Sequence, residues 1–197
     1  NAEDFGFNEV FFADGGVATF SNVTVTIDSL TVEDAYGFAF DGIDQATVEV
    51  RGESVFEGSH TFTFEDDAVF TADGEVSFAD DATITLDGDG SLNANGEVTT
   101  GTGTTTFVLN PSVVTDESLN LSLGSVSSAV KLGGDLVFNG SSASEDENAV
   151  ANIAGAVELV GDEIIRRCRV SAGFRELVEF VERFVLTRPK ESASRSI

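Results

Sequence analysis

Apolar and polar residues alternate along much of the chain, as they do in β-strands that turn one face to a core and the other to solvent. The pattern is clear between residues 76 and 94, where Val76 and Phe78 are followed by Ile84 and Leu86 at the same spacing. Threonines such as Thr83 occupy positions between the apolar residues, and threonine favours strands. The pattern therefore predicts a mainly β protein.

The alternation is organised in a repeat of 22 residues between residues 52 and 117. Gly52, Gly74 and Gly96 each begin a copy, and each is followed by a glutamate. When the copies are laid side by side, apolar residues align in columns, which predicts that each column points inward. Two columns carry this prediction: Phe64, Leu86 and Val108 form one, and Phe70, Leu92 and Val114 form the other.

Two architectures fit a repeat of this length. In a β-solenoid, each copy forms one coil, and the columns stack between coils about 4.8 Å apart. In an antiparallel sandwich or jelly roll, each copy forms a hairpin, and the pairs Asp73-Gly74 and Asn95-Gly96 supply tight turns. The agreement of the columns favours the solenoid, and the sandwich stays open as the alternative.

The apolar period changes after a polar, acidic segment at residues 141–147. The sequence predicts an acidic β-domain at 1–144, amphipathic helices at 145–187 and a disordered tail at 188–197. Because an apolar helical face must be covered, we expect this helical element to cap the β-domain or to contact another subunit. The residues predicted to make the assembly contact are Ile164, Phe174, Leu177, Val181 and Phe184.

The charge of the chain indicates its surroundings. It has 35 acidic and 10 basic residues, and only Arg51 and Lys131 among the bases lie in residues 1–150. Such a body repels phosphates, so we expect no nucleic-acid partner. No apolar run is long enough to predict a transmembrane segment. The excess of acids favours a high-salt setting outside the cell, on a cell surface or in a virion, where cations screen the charge.

Stacked coils would bring some carboxylates together. In register, Glu65 would lie over Asp87 and Asp67 over Asp89, which would offer oxygen ligands to calcium. The segment from Asp87 does not fit an EF-hand loop, because its twelfth position is Val98 rather than glutamate. We therefore expect these acids to form turns first, and calcium or other cations are the cofactors that the sequence suggests.

The sequence offers few groups for catalysis. Adjacent carboxylates occur at Asp66 and Asp67 and at Asp80 and Asp81, and glycoside hydrolysis uses two carboxyls roughly 5–9 Å apart. Neighbours in a strand point to opposite faces, however, which argues against such pairs. His60 has no nucleophile that the sequence assigns to it. We therefore expect no enzyme.

The favoured function is that of a non-enzymatic, self-assembling structural protein of a virion, appendage or cell surface in a high-salt environment. Its partners would be further copies of the chain or other structural subunits. The alternative is a carbohydrate-binding or carbohydrate-cleaving β-domain that uses calcium. Sugar sites need exposed rings for stacking, and a chain with no tryptophan and a single tyrosine, Tyr36, offers few of them.

The first prediction is that folding depends on salt. If Glu53, Glu75 and Glu97 stack on adjacent coils, their charges repel one another unless cations screen them. We expect the β-signal in circular dichroism and the melting temperature to fall during dialysis from roughly molar to millimolar salt with a chelator present. An unchanged spectrum together with an unchanged melting temperature would contradict this.

Overall fold

β-Strands account for most of the residues that the computed structural model describes. The structure describes residues 3–13, 15–33, 35–41, 46–112, 119–140, 149–153, 156–159 and 168–170. The strands are β1 (Glu3–Phe12), β2 (Gly16–Ser21), β3 (Val23–Val32), β4 (Tyr36–Asp41), β5 (Thr47–Val50), β6 (Ser54–Phe56), β7 (Ser59–Ala72), β8 (Val76–Phe78), β9 (Thr83–Ala94), β10 (Val98–Thr100), β11 (Thr104–Pro111), β12 (Leu119–Leu123), β13 (Ala129–Leu132), β14 (Asp135–Gly140), β15 (Ala149–Ile153), β16 (Ala156–Leu159) and β17 (Cys168–Val170).

The strands wind into a β-solenoid, because the strands of each coil pair in parallel with those of the adjacent coils that the structure describes. The chain runs in turn over three faces. Face A contains β5, β12, β15, the first halves of β1 and β3, and the second halves of β7 and β9. Face B contains β6, β8, β10, β13, β16 and the second halves of β1 and β3. Face C contains β2, β4, β11, β14, β17 and the first halves of β7 and β9.

The predicted solenoid is thus confirmed, and the antiparallel sandwich is excluded, since every strand pair in the described residues is parallel. A tight hairpin cannot connect parallel neighbours. The pairs Asp73-Gly74 and Asn95-Gly96 instead lie at the corner between faces A and B, where the chain bends without reversing.

The core is a set of apolar columns that run along the solenoid axis. The predicted column of Phe70 and Leu92 is confirmed, and it continues through Leu121. Its predicted third member, Val114, lies outside the described residues. Phenylalanine rings stack in the same way on face C, where the ring centroids of Phe38 and Phe62 are 4.8 Å apart.

The other predicted column is wrong in its register. Phe62 rather than Phe64 lies opposite Leu86, and Leu109 rather than Val108 lies beyond it. On face C the register advances by 24 residues from β7 to β9 and by 23 from β9 to β11, whereas on face A it advances by 22 from β7 to β9. The corners of the coils therefore differ in length, and a single repeat of 22 residues does not describe every face.

The recurring glycines form a ladder at the corner between faces A and B. A side chain on Gly74 would collide with the carbonyl of Gly52, and one on Gly96 would collide with the carbonyl of Gly74. The glutamates that follow these glycines also lie on adjacent coils. Ser54, which comes directly after Glu53, pairs with Val76, and its N–H donates to the carbonyl of Glu75 at 2.8 Å. The Gly-Glu repeat thus marks a close approach of backbones between coils.

The C-terminal prediction of helices from residue 145 is wrong where the structure describes that segment. Ile153 and Val157 fall within the range predicted to be helical, but they lie in β15 and β16 and pack against the core. The remaining residues of the predicted helices, and the tail at 188–197, lie outside the described residues.

The corrected register predicts opposite effects for two neighbours in β11. Leu109 is fully buried and Val108 points outward, so Leu109→Ala should lower the free energy of unfolding by about 2–5 kcal/mol. Val108→Ala should lower it by less than about 1 kcal/mol. Urea unfolding measures both free energies. A larger loss for Val108→Ala than for Leu109→Ala would instead support the predicted column of Phe64, Leu86 and Val108.

Candidate interaction surface

The paired acids Asp80 and Asp81 hold the corner between faces B and C. The carboxylate of Asp80 accepts a hydrogen bond from the Thr102 N–H at 2.6 Å, and that of Asp81 accepts one from the Thr104 N–H at 2.8 Å. Asp81 has a φ of 57°, a left-handed conformation that aspartate tolerates better than most residues. Both carboxylates therefore bind the backbone of the next coil.

Gly101 and Gly103 leave room for these two carboxylates. A side chain on either glycine would collide with the Oδ1 atom of Asp80 or Asp81, respectively. The acids and glycines of successive coils thus fit together as one corner, which explains why an acidic pair faces a Gly-x-Gly sequence one coil later.

The predicted calcium ligands do not stack as the repeat suggested. Thr63, not Glu65, lies opposite Asp87, because β7 has a bulge between Phe64 and Ala68. Residues 65–67 therefore lie opposite the single residue Asp89, which is buried, while Glu65 and Asp67 are exposed. Within the described ranges, no group of three His, Cys, Asp or Glu residues is placed to hold a metal ion.

Several other polar side chains connect adjacent coils. Asn95 donates to Asp73 at 2.8 Å, and Asn110 donates to Asp87 at 2.7 Å. Lys131 Nζ lies 2.6 Å from Glu97, the last member of the glutamate ladder. These three carboxylates thus contact the neighbouring coil.

Arg51 binds Glu49 within the same coil, at a distance of 2.9 Å. The hydrogen bond and the charge of Glu49 raise the pKa of Arg51. Because both side chains are well exposed, this pair contributes little to stability.

Tyr36 is half-buried. Its ring packs against Phe12 and Phe38, with centroid distances of 4.7 Å and 5.6 Å. A shallow groove of about 320 Å³ lies on face C and is lined by residues of β2, β4 and β7, Tyr36 among them. The groove contains no exposed aromatic ring among its described lining residues.

In the first coil that the structure describes, formed by β1 and β2, two inward phenylalanines are partly exposed. Phe5 and Phe7 lie above the buried residues Val25 and Ile27, so they occupy inward positions. Their side chains are nevertheless 44% and 49% exposed. We call the side of β1 and β2 that faces away from β3 and β4 the N-terminal end.

The N-terminal end also presents unsatisfied backbone edges. Within the described residues, β1 pairs only with β3, and β2 pairs only with β4. Open edges next to exposed apolar side chains are the usual features of a surface that adds another strand. This end is therefore the best candidate for an interaction surface.

The sequence pattern does not reveal this surface, and it predicts an assembly contact at other residues. The predicted residues Ile164, Phe174, Leu177, Val181 and Phe184 lie outside the described residues. The alternation of Phe5 and Phe7 was visible in the sequence, but it predicts only an inward position. It does not show how far these two residues are exposed.

Comparisons with known proteins were made by family models, by sequence and by structure. No family model matches the chain, and no curated protein or solved structure matches it. In the part of the chain that the structure describes, no helix has the length and apolar character needed to span a bilayer.

His60 is buried in the core, with an exposure of 1%. Its ring packs against Phe56 with centroids 5.6 Å apart, and neither ring nitrogen has a hydrogen-bond partner in the described residues. Burial lowers the pKa of His60 below its ordinary value of 6.5, and the backbone groups of Glu57 and Tyr36 offset only part of this effect. The imidazole is therefore neutral in the folded protein near pH 7.

This burial predicts a loss of stability as the pH falls. The unfolded chain binds a proton at His60 near pH 6.5, whereas the folded chain binds it only at lower pH. Stability should therefore be full above this pH and decrease below it. In constant salt, the urea midpoint should fall between about pH 7.5 and 5.5, before most carboxylates titrate.

The matched variant is His60→Phe, which keeps a ring in the core but cannot be protonated. Its urea midpoint should change less over the same pH range. Equal pH dependence in the two proteins would show that His60 is not the responsible group.

Proposed function

We propose that this chain is a non-enzymatic structural protein that assembles through its solenoid, in a virion, an appendage or a cell surface exposed to high salt. The observation that carries the proposal is made at the N-terminal end. There, Phe5 and Phe7 occupy core positions but remain about half exposed.

The energetics favour covering this end. Complete burial of a phenylalanine side chain is worth roughly 1.5–3 kcal/mol, so two half-exposed rings and the adjoining strand edges supply a substantial gain on association. A partner with a matching β-edge would also satisfy the open hydrogen-bonding groups of β1 and β2.

The high-salt setting is supported by the arrangement of charge. Coil stacking places Glu53, Glu75 and Glu97 on adjacent coils, and the body of the protein has only two bases to offset its acids. Concentrated cations would screen both the ladder and the repulsion between copies. The same medium strengthens apolar association when its anions are excluded from the protein surface.

A structural function also agrees with the contacts of the acids. Asp80 and Asp81, one of the two adjacent pairs that the sequence offers for catalysis, each accept a hydrogen bond from the next coil. Carboxylates that hold backbone groups of their own fold are poorly placed to act on a substrate.

Sedimentation velocity tests the proposal. In roughly molar salt, where charge repulsion is screened, the protein should sediment as assemblies whose size grows with protein concentration. The double variant Phe5→Ser, Phe7→Ser should shift toward the monomer and keep its β-signal in circular dichroism. The expected reason is loss of the apolar contact at the N-terminal end.

The matched control is Val126→Ser, which removes another exposed apolar side chain, 98% exposed, in the turn before β13. It should assemble like the wild-type chain. A wild-type chain that stays monomeric at every concentration and salt level would refute the proposed function.

A further inference from the structure

We propose that Asn22 is an acceptor site for N-linked glycosylation, in which its side-chain amide takes a saccharide from a lipid-linked donor. The inference rests on the proposed function, because this modification requires a chain that is exposed outside the cell. Asn22-Val23-Thr24 has the Asn-x-Ser/Thr spacing of an acceptor sequon, and its middle residue is not proline.

The sequence alone does not single out this asparagine. The same spacing occurs at Asn120-Leu121-Ser122 and at Asn139-Gly140-Ser141. Serine and threonine are common in the chain, so a sequon on its own is weak evidence. The structural context that supports one is an asparagine at the surface and outside regular strands, where the fold leaves room for a saccharide.

Asn22 has this context. It lies at the corner between β2 and β3, it is exposed, and it belongs to none of the strand ladders that the structure describes. Its φ of 52° is a left-handed conformation that asparagine tolerates better than most residues. The Asn22 carbonyl accepts a hydrogen bond from the N–H of Glu3 at 3.4 Å. The corner thus anchors the backbone and leaves the residue at the surface.

The other two asparagines lie within sheets. Asn120 is half-buried in β12, between Ser91 of β9 and Val150 of β15. Each neighbour is about one strand spacing, 4.8 Å, away, so a saccharide on Asn120 would have to fit over both. Asn139 is half-buried in β14, opposite Val108 of β11. The fold therefore favours Asn22 over both alternatives.

The modification is a group transfer without oxidation or reduction. The Nδ2 atom of Asn22 forms a bond to the anomeric carbon of the saccharide, while the bond from that carbon to the lipid diphosphate breaks. The lipid diphosphate leaves with the bonding electrons, and one amide proton passes to the solvent. Because Asn22 lies outside the strand ladders, the product should keep the pairing of β2 and β3.

Transfer to the folded chain tests the site. The full-length protein is incubated with a purified oligosaccharyltransferase and an oligosaccharide linked to a lipid diphosphate, at a salt concentration where circular dichroism shows it folded. Its intact mass should rise by one oligosaccharide, and peptide mass spectrometry should place the addition on Asn22. Synthetic peptides that span the three sequons measure the preference of the enzyme in the absence of the fold.

The comparison with the peptides isolates the contribution of the fold. Occupancy in the folded chain, divided by occupancy in the matching peptide, should be at least about tenfold higher for Asn22 than for Asn120, since Asn120 needs local opening to react. Thr24→Ala should abolish the addition although Asn22 is still present, and Thr24→Ser should retain it. Asn120→Gln is the matched control and should leave the mass increase unchanged.

Two results would overturn the inference: no addition to Asn22 in the folded chain, or equal relative occupancy at Asn22 and Asn120. Neither depends on assembly. A chain that accepts the saccharide on Asn22 but is monomeric in sedimentation would refute the proposed function and leave the acceptor site standing. A chain that assembles without accepting it would refute only the site.

Discussion

Parallel stacking at one strand spacing is the constraint on which the structure depends. Each residue lies about 4.8 Å from the equivalent residue in the coils above and below, so whatever a coil places at one position must fit a near copy of itself. Apolar residues satisfy this condition inside, as the stacked rings of Phe38 and Phe62 show. Glycine satisfies it where backbones approach closely, as at Gly74 and Gly96.

Under the same constraint, acidic residues destabilise the fold at some positions and stabilise it at others. Stacked glutamates such as Glu75 and Glu97 repel each other, and only the last one meets a lysine of the next coil, Lys131. Asp80 and Asp81 are useful instead, because each accepts a hydrogen bond from the next coil's backbone. Acids therefore belong to the corners of this solenoid as structural groups as well as to its surface.

A stack of coils must end, and its ends follow different rules from its middle. Phe5 has the sequence neighbours and the inward position of a core residue, yet it is about half exposed because no described coil covers it. The function proposed for the chain follows from this incomplete burial. An end that resembles the interior in its side chains and its open strand edges is suited to receive another coil.

The sequence by itself determined the elements that depend on local pattern: the strand alternation, the Gly-Glu repeat of 22 residues and the column of Phe70 and Leu92. Only the tertiary structure decided the register on face C, where Phe62 rather than Phe64 lies opposite Leu86. It also decided the strand conformation of the described residues after 148 and the exposure of the first coil. The physical reason is that corner lengths, bulges and the position of a stack's end depend on contacts between residues of different coils, and a periodic pattern within one coil does not specify them.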